Sequence, residues 1–312
     1  MNKRALGSSD LTITPLMLGG NVFGWTADEA TSFAVLDAFV DLGGDAIDTA
    51  DVYSAWVPGH QGGESETVLG KWFKQSGKRD KVIVATKVGM WPRRIGIRKE
   101  NIIAACEDSL RRLGIDRIDL YQLHRDDEAT PPEEFIGALD DLAKAGKVRA
   151  IGASNFKMPR MVAALAESAA TGRARFVSLQ PEYSLMNRDI EADLMPLCVR
   201  ERVSLIPYYS LANGYLTGKY RTEADKSQSV RGQRMDKYMA GKGPAVLAAL
   251  DVVAARHDAA CAQIALAWIM AKPAIAAPIA SATSVAQVRE LMGALHVNLS
   301  GEDLATLDRA SL

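Results

Sequence analysis

The chain has 312 residues, 48% hydrophobic and 24% charged, with a formal net charge of −1. These proportions fit a soluble globular protein with a sizeable core, and the near-zero charge argues against nucleic acid or an anionic membrane surface as the main partner. No uncharged apolar run reaches ~18 residues, the first seven residues have charge but no apolar stretch, and the three cysteines, Cys106, Cys198 and Cys261, show no metal or redox spacing; the expectation is a cytoplasmic protein without a membrane span, with its thiols free and buried.

Taken in order, residues 3–6 and 11–14 alternate around Gly7-Ser8-Ser9-Asp10 and predict a small hairpin ahead of the main fold. Residues 16–20 read as a buried strand entering a glycine turn. Residues 28–42 have helical periodicity, with Phe33, Leu36, Phe39 and Val40 on one face, and Gly43-Gly44 follow as a stop. A strand–helix unit then recurs. Strands are expected at 46–48, 82–87, 118–123, 148–153, 176–180, 203–207 and 275–279. They alternate with helices near 64–74, 99–113, 132–145, 158–170 and 190–201, a pair near 244–257 and 261–271, and helices near 285–295 and 301–310. Gly114 stops one helix, and Pro131-Pro132 opens another that Gly146 ends. The strands are short continuous apolar runs, as expected when both faces are covered. Eight such units in a row predict a closed (β/α)8 barrel, a TIM barrel with a short N-terminal β-hairpin, as a single domain over residues 1–312. The rival, a doubly wound sheet, normally has a Gly-rich dinucleotide loop after its first strand, and residues 18–24 match that loosely. The polar stretch 222–243 is long enough to be a lid or a disordered loop.

In such a barrel, functional side chains sit where strands end. Asp48 ends the second strand and Tyr53 lies in the loop beyond it. Lys87 ends the third strand and His124 the fourth. Ser154 and Asn155 follow the fifth, Gln180 ends the sixth, Tyr208 follows the seventh, and Ser281 and Thr283 follow the eighth. A phenol has a pKa near 10; a nearby ammonium favours its ionised form, and a carboxylate holds the ammonium in place. A histidine beside them can donate a hydrogen bond to a substrate oxygen. Asp48, Tyr53, Lys87 and His124 together suit proton donation to a carbonyl oxygen. They do not suit a nucleophile triad, and only two of them are good metal ligands, so no metal is expected. Singly, each has a bland reading as a packed loop residue, a solvated lysine, a backbone-bonded histidine or a turn cap; only their joint placement favours chemistry.

The motifs Gly-Gly-Asp-Ala-Ile-Asp-Thr-Ala-Asp-Val-Tyr (43–53), Ala-Thr-Lys-Val-Gly (85–89) and Leu-Tyr-Gln-Leu-His (120–124) resemble the three blocks that carry the catalytic tetrad of the aldo-keto reductase family. Ile-Gly-Ala-Ser-Asn-Phe (151–156) resembles its nicotinamide-binding block. Residues 209–214 and 216–220 resemble its pyrophosphate-binding segment. The resemblance runs from about residue 3 to about 298. It implies an oxidoreductase that interconverts aldehydes or ketones and alcohols by hydride transfer, with NADP favoured over NAD and a small-molecule carbonyl or alcohol as its partner. Tyr53 would be the acid in reduction and the base in oxidation, Lys87 would tune it, Asp48 would hold Lys87, and His124 would orient the carbonyl.

For the cofactor, the resemblance implies Gly20, Asn21 and Asp48 at the first strand ends, and Ser154, Asn155 and Gln180 on the carboxamide. Tyr208 would stack on the ring. Ser210, Leu211, Ala212 and Lys219 would meet the pyrophosphate, Arg231 a 2′-phosphate through its guanidinium fork, and Ser281, Thr283, Gln287 and Glu290 the adenosine end. Leu291 stands where the family usually has asparagine, and Arg289 is a second candidate for the phosphate. Trp25, Trp56 and Trp91 follow the first three strands and should rim a roomy aromatic pocket beside Tyr53 and His124. Trp72 and Trp268 lie in helix patterns and read as core. The potassium channel beta subunits, which share the fold and bind cofactor with slow catalysis, are the alternative. His124 argues against that class, where the position is commonly a different residue. A metal-dependent barrel isomerase or hydrolase is the more distant one.

Overall fold

The computed structural model describes residues 2–312. Eight parallel strands form one sheet: β1 (Met17–Gly19), β2 (Ala46–Asp48), β3 (Ile83–Val88), β4 (Ile118–Leu123), β5 (Val148–Ser154), β6 (Phe176–Gln180), β7 (Ser204–Leu205) and β8 (Ile279–Ala280). Each strand pairs with the next, and β8 pairs with β1. The ring closes between β7 and β8 through a parallel bridge from Leu205 to Ile275 and the bond from Ile279 N–H to Pro207 O at 2.9 Å. This is the (β/α)8 barrel. Strands β7 and β8 are shorter than expected because Pro207 and Pro278 lack an N–H to extend the ladder.

Helices α1 (Glu29–Asp41), α2 (Glu64–Ser76), α3 (Lys99–Leu113), α4 (Pro132–Lys144), α5 (Met158–Thr171), α6 (Leu194–Glu201), α7 (Gly243–His257), α8 (Cys261–Met270), α9 (Val285–Gly293) and α10 (Gly301–Ser311) surround the strands. Gly114 ends α3 in the left-handed region (φ 62°), its N–H bonded to Leu110 O, as its place after the apolar pattern predicts. The expected helix at 190–201 divides into a 3₁₀ turn, Asp189–Glu191, and α6.

The apolar residues separate into two bodies. The larger lies between strands and helices and takes in Trp72 and Trp268. The smaller fills the floor of the barrel with Met17, Ala46, Ala85, Leu120, Ala150 and Ile206, capped by Leu6, Leu11 and Ile13 of the N-terminal hairpin (Arg4–Ala5 with Thr12–Ile13). That hairpin is also tied to the closing seam. The Arg4 guanidinium donates to Met270 O and Ile275 O, both at 2.9 Å, and Gly7 N–H donates to Ser204 Oγ at 2.7 Å. With the floor plugged, the opposite end, where the strands terminate, is left for polar side chains.

The structure departs from expectation in three further places. Residues 222–243 are not a bare loop: two 3₁₀ turns (Glu223–Gln228, Gly232–Arg234) and a short helix (Asp236–Met239) fold over buried Tyr220, Met235 and Tyr238. Cys106 and Cys198 are buried, but Cys261, at the first turn of α8, is only half-buried and lies 3.4 Å from Asp251. A second hairpin, Met90–Trp91 with Arg94–Ile95, rises after β3. Among the described residues, no helix is long and apolar enough to cross a membrane.

Candidate active site

Strand register sets the centre of the site. Gly19 pairs with Asp48, Asp48 with Ala85, Lys87 with Gln122, and Ser154 with Gln180. The mouth of the barrel is therefore ringed at one level by side chains that the sequence spaces 26 to 39 residues apart. Lys87 is fully buried and its Nζ donates to Asp48 Oδ2 at 2.6 Å, to Thr49 O at 2.9 Å and to the Tyr53 hydroxyl at 3.2 Å. The other oxygen of Asp48 accepts from Gln180 Nε2 at 2.9 Å, with Gln122 Nε2 farther off at 3.4 Å. The carboxylate is thus held from below by two amides and from the side by one ammonium.

The electrostatics differ in one respect from the sequence expectation. Burial pushes the Tyr53 phenol above its usual pKa; the Lys87 charge opposes this without overcoming it. Burial also works against the Lys87 ammonium, but Asp48 and Tyr53 together hold its pKa above the usual value, so it stays charged. Burial, then Lys87 and Arg125, drive His124 well below the ordinary imidazole range. Its ring is neutral at pH 7, and its Nδ1 is buried with no hydrogen-bond partner. The His124 ring meets Tyr53 edge-on at 5.9 Å, Tyr53 meets Trp56 at 5.6 Å, and Trp56 meets Trp25 at 5.6 Å. These four rings make one continuous wall. Trp91 stands apart from it: its Nε1 donates to Gln61 O at 2.6 Å and its ring faces the guanidinium groups of Arg93, Arg94 and Arg112.

On the opposite side, Asn155 and Tyr208 are locked together. The Tyr208 hydroxyl donates to Asn155 Oδ1 at 2.8 Å, and Asn155 Nδ2 donates to His124 O at 3.0 Å and Ser154 Oγ at 3.1 Å. Ser154 Oγ donates to Gln180 O at 2.8 Å. At the seam of the ring, Ser281 Oγ donates to Asn21 Oδ1 at 2.6 Å. A Cβ on Gly19 would lie 2.5 Å from Ser281 Oγ, and one on Gly20 would lie 3.0 Å from Asp48 O, so the backbone there runs close against its neighbours.

Beyond Tyr208 the chain takes left-handed backbone at Tyr209 (φ 52°), Ala212 (φ 48°) and Asn213 (φ 57°), the kind of strain that collects at ligand sites. A cavity of about 430 Å³ opens between Tyr209 and Asn213 on one side and Gln233, Arg234, Asp236 and Lys237 on the other. Burial lowers the pKa of the nearby Arg231 guanidinium, which makes no ion pair among the described residues, and Lys219 is exposed over the Tyr220 ring. Ser210 is buried, its hydroxyl bonded to Pro207 O, and Leu211 and Ala212 line the same turn. At the last strand end, Gln287 Oε1 accepts from Thr283 N–H and Oγ at 2.8 and 3.2 Å, while Glu290 is exposed.

The sequence profile of the Aldo/keto reductase family matches residues 15–311. The chain belongs to this family. Uncharacterized oxidoreductase YrpG of Bacillus subtilis (strain 168) is 33% identical, over 97% of this chain and 94% of its own length. Protein tas of Escherichia coli (strain K12) is 32% identical over 99% and 97%, and Aldo-keto reductase YhdN of Bacillus subtilis (strain 168) is 33% identical over 92% and 85%. Aldo/keto reductases are oxidoreductases of carbonyl compounds and generally use a nicotinamide cofactor, so the chain is an enzyme of that broad kind.

Within this aldo/keto reductase, sequence reasoning passed over several residues. Gln122 Nε2 lies 3.4 Å from Asp48 Oδ1; it is a polar residue near the end of a mainly apolar strand, two positions before His124, and that placement is its signal. Ser65 donates to Gly20 O and accepts from Thr49 Oγ1, joining the first two strand ends. Buried Asp51 and Glu66, with the partly buried Arg112, form an ionisable group behind the tyrosine loop. Leu291, at the position where the family usually has asparagine, turns inward to pack with Leu16, Phe39 and Val288.

Proposed function

We propose that this chain is an NADP(H)-linked reductase of aldehydes and ketones, running in reverse as an alcohol dehydrogenase, with Tyr53 as the general acid in reduction and general base in oxidation. The observation that carries the reading is the fully buried Lys87 ammonium, set between Asp48 Oδ2 at 2.6 Å and the Tyr53 hydroxyl at 3.2 Å. The bound cofactor supplies the hydride that reaches the carbonyl carbon. The remaining work falls to the side chains. Tyr53 is protonated at neutral pH and ready to donate. As negative charge builds on the carbonyl oxygen, the proton passes from the phenol to that oxygen, and the phenolate left behind faces the Lys87 ammonium. Asp48 keeps the ammonium in place throughout. Neutral His124 donates a hydrogen bond to the same oxygen and fixes its direction.

The residues present fit a nicotinamide dinucleotide. Ser154, Asn155 and Gln180 would hold the carboxamide, and Tyr208 the face of the ring. Gly20 and Asn21 leave the close backbone approach that the first strand end requires. Ser210, Leu211, Ala212 and Lys219 would meet the pyrophosphate, and Ser281, Thr283, Gln287 and Glu290 the adenosine. A half-buried guanidinium without a carboxylate, Arg231, is the reason to prefer NADP. Trp25 and Trp56 offer flat apolar walls next to Tyr53, which favours bulky or aromatic carbonyls, while Trp91 lies at the outer edge. Residues 1–312 act as one unit in this reading, in the cytoplasm.

The test is NADPH oxidation across a panel of aldehydes with Tyr53→Phe alongside the natural protein. Reduction should fall by about 10³-fold, with NADPH affinity, read by fluorescence quenching, nearly unchanged. Undiminished reduction by the phenylalanine variant would sink the mechanism.

A further inference from the structure

Behind the tyrosine loop lies a carboxyl group that the mechanism above does not use. Asp51 is 1% exposed, and neither of its side-chain oxygens has a hydrogen-bond partner. Its N–H donates to Lys87 O at 3.2 Å, so the loop that carries Tyr53 is pinned here to the strand that carries the ammonium. The charged groups acting on Asp51 come from each packed element: Glu66 of α2, Arg112 of α3 and Lys87 of β3. The Tyr121 phenol of β4 and the Cys106 thiol of α3 share the same interior, and the Tyr121 phenol feels Asp51, Glu66 and Arg112 in turn.

The cations of this group are already engaged. Arg112 Nε donates to Glu66 Oε2 at 2.6 Å, and the other oxygen of Glu66 takes the Thr86 hydroxyl at 2.5 Å. Lys87 serves Asp48 and Tyr53. One buried cation, Lys87, and one partly buried cation, Arg112, thus face three buried carboxyls, and Asp51 is the one without a partner. The Arg112 and Lys87 charges and the Val52 N–H act against burial without overcoming it, and a buried carboxyl with no counter-ion in contact takes up a proton rather than carry its charge. Burial, with Glu66 next, accordingly pushes Asp51 up to about 8.

We propose that Asp51 is a positioning residue for the proton donor: its carboxyl stands where the 49–53 loop is pinned to β3, and as the neutral acid it leaves the Lys87 charge to Asp48 and Tyr53 alone. This rests on the reading of Tyr53 as the donor. When Asp51 gives up its proton to solvent, a second anion acts on Lys87. The ammonium then offsets less of the charge developing on the phenol, and an unpartnered carboxylate strains the loop from within. Activity therefore ends on the alkaline side at the ionisation of Asp51, below the titration of the phenol itself.

The experiment is the pH profile of kcat/KM between pH 6 and 10 for the full-length enzyme with NADPH and an aryl aldehyde that it turns over. The natural protein should lose about tenfold per pH unit above a midpoint near that of Asp51. In Asp51→Asn the midpoint should move up by at least one unit. In Glu66→Gln, which removes the neighbouring anion and leaves Arg112 free to pair with Asp51, it should move down; this second variant decides the matter if the first does not fold. An unmoved midpoint in a folded Asp51→Asn, or failing that in Glu66→Gln, overturns the proposal. Tyr53→Phe run beside them separates the two readings. If Tyr53→Phe is fully active, the donor assignment fails and the role of Asp51 fails with it; if it is inactive and the midpoint of Asp51→Asn stays at that of the natural protein, only the role of Asp51 fails.

Discussion

Replacing Lys87 by methionine tests the core of the site through stability alone, independent of any substrate. Both partners of the Lys87–Asp48 pair are buried, at 0% and 2% exposure. The methionine fills much of the same volume but leaves Asp48 Oδ2 with no donor, and only the amides on Oδ1 remain. Stranding one partner of a buried pair costs about 3–5 kcal/mol. A chain of 312 residues has an unfolding entropy of about 0.65 kcal/mol/K at about 2.1 cal/mol/K per residue, so the melting temperature should drop by roughly 5–8 °C. Urea unfolding followed by circular dichroism, with a thermal scan beside it, reads both quantities. The double variant Asp48→Asn/Lys87→Met removes the stranded charge and should recover at least half of the loss, while reduction stays abolished in both. A loss under about 1 kcal/mol, the range of an exposed pair, would refute the reasoning. So would a double variant no more stable than the single one.

Arg231→Ala should weaken NADPH binding at least tenfold while leaving NADH within about twofold, since a guanidinium–phosphate fork contributes roughly 1.5–3 kcal/mol; an equal effect on both cofactors in a titration would remove Arg231 from the site. His124 gives a pH signature with a defined sign. Its folded pKa lies well below 6.5 because of burial, then Lys87 and Arg125, so the unfolded chain binds a proton that the folded one refuses. Stability is fully present above about pH 6.5 and declines as pH falls toward the folded pKa, by up to about 1.4 kcal/mol per unit. In His124→Gln that part of the acid slope should disappear; identical slopes in urea titrations at pH 5 to 7 would contradict it.

The barrel and its centre were legible because each strand is a short, mainly apolar run, with Lys87 near the end of one and His124 directly after another. Asp48 and Gln180 were placed by the same rule, with strand ends lying side by side once the ring closes. What escaped was whatever depends on elements far apart in sequence. Asp51 looks like a turn residue until α2 and α3 bring Glu66 and Arg112 against it. Residues 222–243 read as a loop because their buried anchors, Tyr220, Met235 and Tyr238, are too sparse to show a period. Trp91 follows a strand as Trp25 and Trp56 do, but Gly89 and Gly96, at φ 113° and 100°, frame a hairpin that carries its ring toward Arg94 and Arg112. The direction of the Tyr53 shift also escaped, since the sequence names the ammonium but not how dry its surroundings are.

The hairpin at the floor has a consequence for the order in which the molecule is made. Its Arg4 is bonded to Met270 O and Ile275 O, partners 266 and 271 positions later in the chain. On the ribosome this hairpin has nothing to grip until the 266 to 271 residues up to its partners have followed, and at about 5–20 residues per second that interval is tens of seconds. Until then the ring stands open between β7 and β8, with its apolar floor uncovered and Tyr208 and the turn beyond it unsupported. A segment made long before its partners thus acts as the clasp of the finished circle.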